Sequence, residues 1–156
     1  MRVGFGYDVH RFSSSRPLIL GGVTIPSELG LEGHSDADVL THAVIDALLG
    51  AMAWGDIGSW FPDTDPEYKN ADSLKLLRTV IQELKKQSVS IMNIDTTIVA
   101  EKPKLRPYID QIRNSLAEGL NIETSKVSIK ATTSEKMGFV GRVEGIAVHS
   151  VSLVSQ

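Results

Sequence analysis

The sequence predicts an α+β fold, a mixed β-sheet with helices packed on one face, and three observations carry that expectation. Strand-like and helix-like segments are interspersed without the regular alternation of a doubly wound protein. Three stretches repeat apolar residues at a spacing of three and four, the signature of a helix with one buried face. Both ends of the chain and a central segment are instead rich in β-branched residues and bounded by Gly, Ser or Pro, as strands are.

Residues 3–12 end at the cluster Ser13-Ser14-Ser15 and read as the first strand. Segments 18–20 and 23–25 flank Gly21-Gly22 and read as a hairpin with glycines at its turn. A glycine-containing loop, 29–34, precedes a helix over about 37–52, in which Val39, Leu40, Ala43, Val44, Ala47 and Leu48 recur at helical spacing. Ser35 or Asp36 can cap it. An irregular segment, 54–72, separates it from a helix over 73–87 with Leu74, Leu77, Ile81 and Leu84 on one face. Residues 89–100 read as a strand, and Pro103 divides them from a helix near 105–120. Residues 127–131 and 145–153 read as closing strands around a glycine-punctuated loop. With no linker or repeat, residues 1–156 are expected to form one domain.

Composition narrows the function. The 156 residues carry 16 Lys+Arg against 19 Asp+Glu, a net charge of −3, which argues against general nucleic-acid binding. At 42% hydrophobic the chain has ample apolar material for a core, so disorder is excluded as its main state. There is no cysteine, hence neither a disulfide nor a thiolate metal site. No apolar run approaches the ~20 residues of a membrane span, and the start lacks a secretory h-region, so a cytoplasmic protein is expected.

Asp8 and His10 stand two apart on the first strand and therefore share a face. His42 lies mid-helix, one turn from Asp38 and from Asp46. One carboxylate and two imidazoles suit Zn²⁺ and leave a fourth position open, and Asp46 could orient the remaining imidazole nitrogen. The competing reading is a pair of solvated helix acids with His42 hydrogen-bonded to either. Gly4-Phe5-Gly6 fails as a dinucleotide fingerprint, because Val9 stands at the third glycine position. The acids of 63–67 fail as a calcium loop, because Tyr68 replaces the required glycine. Gly33-His34-Ser35-Asp36 precedes a helix start, Lys102-Pro103-Lys104-Leu105-Arg106 clusters cations between strand and helix, and Thr132-Thr133-Ser134-Glu135 groups hydroxyls with a carboxylate. Each suits phosphate chemistry, and each is also what an ordinary cap or surface turn contains.

In their order and spacing, D-V-H at 8–10, G-H-S-D-A-D at 33–38, His42, D-I-G at 56–58, F-P-D-T-D at 61–65, K-P-K at 102–104 and T-T-S-E-K-M-G-F at 132–139 make a sequence that resembles the 2-C-methyl-D-erythritol 2,4-cyclodiphosphate synthase family. The resemblance runs from residue 2 to about residue 153. It implies a homotrimer with active sites at subunit junctions. It also implies cyclisation of 4-diphosphocytidyl-2-C-methyl-D-erythritol 2-phosphate with release of CMP, in the non-mevalonate route to isoprenoids. By the same resemblance Asp8, His10 and His42 hold Zn²⁺ or a similar ion, and Glu135 holds Mg²⁺ or Mn²⁺ at the diphosphate. His34 and Thr133 stabilise the transition state, with Ser35, Thr132 and Ser134 beside the phosphates. Asp56, Ile57 and Gly58 meet the ribose, and Phe61, Pro62, Asp63, Thr64 and Asp65 form a lid over the methylerythritol. Ala100, Glu101, Lys102, Pro103, Lys104, Leu105 and Arg106 cradle the cytosine, while Phe139 and Arg142 lie near an axial cavity that can take an isoprenoid diphosphate. The chain departs from the family pattern at Tyr7, Ser134, Val140 and Val143. A metal-dependent phosphohydrolase and a non-enzymatic trimeric binding module for nucleotides or isoprenoid diphosphates are the competing functions.

Overall fold

The fold was described from a computed structural model covering residues 1–156. The elements run β1 (Arg2–Ser13), β2 (Leu18–Leu20), β3 (Val23–Ile25), β4 (Gly30–Leu31), α1 (Val39–Met52), α2 (Ile57–Trp60), α3 (Ser73–Lys86), β5 (Ser90–Val99), α4 (Ile109–Leu120), β6 (Val127–Thr132), α5 (Gly138–Gly141) and β7 (Gly145–Ser155). Five strands form one sheet in the order β4-β1-β7-β5-β6, and β2 with β3 forms a separate hairpin. Only β5 and β6 are parallel, so the sheet is mixed, as the sequence predicts.

Two of the predicted helix starts move, and the irregular segment gains structure. The first long helix begins at Val39 rather than near residue 37, because Ala37 takes a left-handed φ of 59° and Asp38 becomes the cap, accepting from Thr41 N. The cap is therefore neither Ser35 nor Asp36. The fourth helix begins at Ile109 after a 3₁₀ turn, Arg106–Tyr108, in which Pro107 interrupts regular pairing. The irregular segment 54–72 contains the short α2 and a 3₁₀ turn, Pro66–Tyr68, each started by an aspartate side chain, Asp56 and Asp65.

Alternation along β1 sends Gly4, Gly6, Asp8 and His10 to one face and Val3, Phe5, Tyr7 and Val9 to the other. The glycine face receives α1. A Cβ at Gly4 would lie 1.9 Å from the Ala47 carbonyl oxygen, and one at Gly6 would lie 2.0 Å from that of Ala43. Backbone-to-backbone packing at this distance is open only to glycine, which explains the Gly-Phe-Gly segment without any dinucleotide. Ser152 of β7 adds a hydrogen bond of 2.8 Å to the Ala47 carbonyl.

The core fills the same side of the sheet. Leu40, Val44 and Leu48 of α1 meet Leu77 and Ile81 of α3, Ile112 and Leu116 of α4, and Ile94, Ile98, Ile146 and Val148 of the sheet. The other side is bare: Val3 is 68% exposed and Phe5 61%, with Tyr7, Val9 and Val151 beside them. No helix is long and apolar enough to cross a membrane.

Gly6→Ala is expected to lower folding stability by about 3 kcal/mol, since the new methyl meets backbone rather than a side chain that can turn aside. Urea denaturation of the two proteins measures it.

Candidate active site

At the end of β1 the glycines give way to Asp8 and His10 on the same face, and α1 presents His42, the residue just before Ala43 of the Gly6 contact. His10 Nε2 lies 2.9 Å and His42 Nδ1 3.0 Å from Asp8 Oδ2. The two nitrogens are 3.2 Å apart. This is the only group of three or more imidazoles and carboxylates in the chain whose ligand atoms converge.

Hydrogen bonds on the outer side of each ring settle the tautomers. His10 Nδ1 faces the carbonyl oxygen of Glu32, which can only accept, so Nδ1 carries the hydrogen and Nε2 a lone pair. His42 Nε2 lies 2.8 Å from Ser73 Oγ and 3.0 Å from Ser35 Oγ. Ser73 Oγ itself donates to Asp36 Oδ1, so it accepts from His42, leaving the His42 Nδ1 lone pair turned inward. In these tautomers two lone pairs and a carboxylate oxygen face one another, an arrangement that a metal ion or a proton relieves. A tetrahedral Zn²⁺ with its usual bond lengths separates neighbouring donor atoms by about 3.3 Å, close to the spacing present here. The residues fit a small divalent ion with nitrogen and oxygen ligands.

Without an ion, protons compete for the same atoms. Burial pushes the Asp8 carboxyl up, but the hydrogen bonds of His10 and His42 outweigh this and bring it to about 2. Burial disfavours the His10 imidazolium, yet the Asp8 carboxylate overcomes the penalty and raises its pKa above the ordinary 6.5.

Asp46 does not hold His42, contrary to the sequence expectation. Its Oδ1 accepts from Ile57 N at 2.7 Å, tying α1 to the start of α2, and burial together with Asp56 and Asp8 pushes its pKa up. Asp38 is also absent from the site. It is fully buried and accepts from Gly21 N, Gly22 N, Thr41 N and Thr41 Oγ, which docks the β2–β3 hairpin on the helix start.

The triad opens into a cavity of about 360 Å³ lined by His34, Ser35, Ile57, Gly58, Phe61, Pro62 and Asp63, all of them expected, and by Tyr68 and Leu76, which were not. Thr64 and Asp65 lie outside that lining, although the Asp65 carbonyl is 3.4 Å from His34 Nε2. Asp56 is exposed, and its carboxylate is held low by the Ser59 hydroxyl and amide. Arg16 clamps the loop from behind, donating to the carbonyls of Gly33 and Ser35 and to Asn70 Oδ1.

A second cavity, about 400 Å³, is lined by Ala100, Glu101, Pro103, Lys104, Leu105, Arg106, Thr132 and Thr133. It shares no lining residue with the first. Register puts Val9, Ala147, Val99 and Thr132 in one row across β1, β7, β5 and β6, so both cavities lie toward one end of the sheet. Three strand spacings of about 4.8 Å separate β1 from β6, roughly 14 Å. Glu101 Oε1 accepts from Ser134 N, Ser134 Oγ and Lys136 N, which braces the turn bearing Thr133 and Glu135. Glu135 is exposed with a left-handed φ of 53°, and Lys102 lies outside the second cavity's lining. Phe139 is partly exposed, and Arg142 pairs with Glu144 at 2.6 Å. A larger hollow of about 650 Å³ at the far ends of α3 and α4 contains no imidazole, and its Glu118 and Glu123 are balanced by Lys85 and Lys126.

Sequence reasoning did not single out Ser73, Tyr68, Leu76 or Arg16. Ser73 and Leu76 read as ordinary helix residues, and a half-buried arginine that binds carbonyls has no spacing signal.

The family model described as YgbB family matches residues 1–155. The 2-C-methyl-D-erythritol 2,4-cyclodiphosphate synthase of Chlorobaculum tepidum is 56% identical over 154 residues, covering 99% of this chain and 98% of the relative. The protein of that name from Bacillus subtilis is 56% identical over 155 residues, with 99% and 98% covered. A solved structure of a 2C-methyl-D-erythritol-2,4-cyclodiphosphate synthase in a CDP-bound form superposes with a TM-score of 0.90 at 32% identity, covering 99% of this chain and all of that one.

The titration directions give an expected pH dependence. The raised His10 pKa stabilises the metal-free fold below about pH 6.5, and that contribution disappears as pH rises through the folded-state value. The depressed Asp8 pKa contributes above about pH 4 and is lost toward about pH 2. Melting in chelator should therefore show the pair's greatest help between about pH 4 and 6.5. Zn²⁺ affinity should rise about tenfold per pH unit until His10 has lost its proton, as calorimetric titration would show.

Proposed function

Because this chain belongs to the YgbB family, the 2-C-methyl-D-erythritol 2,4-cyclodiphosphate synthases, we propose that its paired cavities bind 4-diphosphocytidyl-2-C-methyl-D-erythritol 2-phosphate in the cytoplasm and cyclise it. The 2-phosphate oxygen bonds to the β-phosphorus, the bond from that phosphorus to the bridging oxygen breaks, and CMP leaves. No water is consumed, so the product is the 2,4-cyclodiphosphate. The observation that carries this reading is the convergence of three lone-pair donors within 3.2 Å at the floor of a cavity.

The nucleophile belongs to the substrate, so a chain without cysteine or an activated serine lacks nothing it needs. The protein's task is to fold the substrate back on itself and to offset repulsion between phosphates. A divalent ion held by Asp8, His10 and His42, and a second one reached by the exposed Glu135, supply charge neutralisation and phosphate polarisation when bound. His34 and Ser35 donate to phosphate oxygens beside the triad, and Thr133, with Thr132 and Ser134, donates from the second cavity. Asp56, Ile57 and Gly58 meet the ribose. Phe61 to Asp65 close over the methylerythritol and keep water from the β-phosphorus, with Asp63 facing the sugar hydroxyls. Backbone groups between Ala100 and Arg106 read the cytosine.

Residues 1–156 act as one catalytic domain in a homotrimer. Support comes from the absence of any lining residue shared by the two cavities, which sit beside strands roughly 14 Å apart in one chain, and from the bare apolar face of β1. A neighbouring copy that covers this face can set its second cavity against the first. Phe139 and Arg142 would then lie near the axis, where an isoprenoid diphosphate is a fitting occupant.

Incubation of the protein with the cytidyl substrate, Zn²⁺ and Mg²⁺ should yield CMP and a cyclic diphosphate in ³¹P NMR. Linear phosphates in place of the ring would make it a phosphohydrolase. His42→Ala is expected to reduce turnover by at least about a thousandfold while CDP binding persists, and retained turnover would remove the metal assignment. Phe5→Arg should shift the protein from trimer to monomer in sedimentation, because a cation cannot be desolvated on that face without a partner.

A further inference from the structure

We propose that Asp36 and Ser73 are positioning residues for the metal centre, a carboxylate–hydroxyl chain that keeps the proton on His42 Nε2 and so reserves Nδ1 for the cation. The inference rests on the metal assignment above and concerns what makes His42 a competent ligand.

Ser73 is completely buried at the first position of α3. Its hydroxyl is not spent on starting that helix, because Asp72 is the cap and accepts from Leu74 N at 2.9 Å. The hydroxyl instead stands between two partners, Asp36 Oδ1 on one side and His42 Nε2 at 2.8 Å on the other. A hydroxyl has one hydrogen. An ionised carboxylate has none, so Ser73 donates to Asp36 and turns its lone pairs to the imidazole. The negative charge at the far end strengthens that oxygen as an acceptor.

Asp36 is itself held in place. Its other oxygen accepts from Ser73 N at 3.0 Å, its own amide donates to Ala71 O at 3.0 Å, and Oδ1 also lies 3.2 Å from Asp38 N. The carboxylate thus spans the turn before α1 and the start of α3. Ser35 Oγ, 3.0 Å from His42 Nε2, cannot do the same work alone. Its only other contact, from Ala37 N at 3.3 Å, leaves its hydrogen free to point at the ring. Only the Ser73 hydrogen has a fixed destination. Outer partners of metal-bound histidines typically change metal affinity by about tenfold to a hundredfold.

The test uses the full chain with Zn²⁺ alone. Ser73→Ala and Asp36→Asn should each weaken calorimetric Zn²⁺ binding by about tenfold or more, and the double variant should lose little beyond the worse single one, since the two groups act in series. Long-range ¹H–¹⁵N NMR of the metal-free protein at alkaline pH reads the tautomer directly. The parent should show His42 with hydrogen on Nε2. In Asp36→Asn the amide can donate to Ser73, whose hydrogen is then free to face His42, so an Nδ1–H population should appear. Melting curves in chelator separate this effect from loss of fold. Zn²⁺ affinities within twofold of the parent, together with an unchanged tautomer in both variants, would overturn the proposal. A parent that binds no Zn²⁺ would remove the metal assignment instead, and the NMR arm would still decide the tautomer chain.

Discussion

The close approach of α1 to β1 is the constraint on which the site depends. Gly4 and Gly6 let helix backbone settle against strand backbone, and the same face of β1 then carries Asp8 and His10. Because α1 lies along that face, His42 arrives opposite both of them without any loop having to hold it. Two rigid elements therefore position all three donors, a more exact arrangement than a loop could maintain.

Around this centre, aspartates of similar chemistry do different work according to what surrounds them. Asp8 is kept ionised by two imidazoles. Asp38 is buried with four donors on its oxygens and joins the hairpin to the helix. Asp46 fastens α2 to α1, and Asp56 starts α2 at the surface. Asp36 reaches the start of another helix. Only one of the five touches the cation site, and hydrogen-bond supply decides which.

The mixed sheet separates duties in space. β1, next to the β4 edge, carries Asp8 and His10, and the β6 edge carries the hydroxyl turn beside loop 100–106, with Glu101 bracing the two against each other. One face is occupied by helices and the other is apolar and open. Exposed apolar faces of this kind are characteristic of surfaces that bind a partner.

Much of this is legible in the chain itself. The fold class, the hairpin at 18–25, the long helices and the Asp8–His10 pair follow from periodicity, because periods of 2 and 3.6 are local properties of the backbone. Residue chemistry and resemblance group His42 with that pair, but only the packing of the helix brings it within reach of them. The cap of α1 passed from Ser35 or Asp36 to Asp38 because a left-handed Ala37 turns the chain, and no local propensity announces that. Asp46, one turn from His42, looked like its partner, yet Ser73, thirty-one residues away, is the group that meets the ring. Spacing along a chain tells which residues share a face. Which hydrogen-bond donor or acceptor meets a buried nitrogen is settled only when separate elements close around it, since every buried polar atom takes the partner that packing brings within reach.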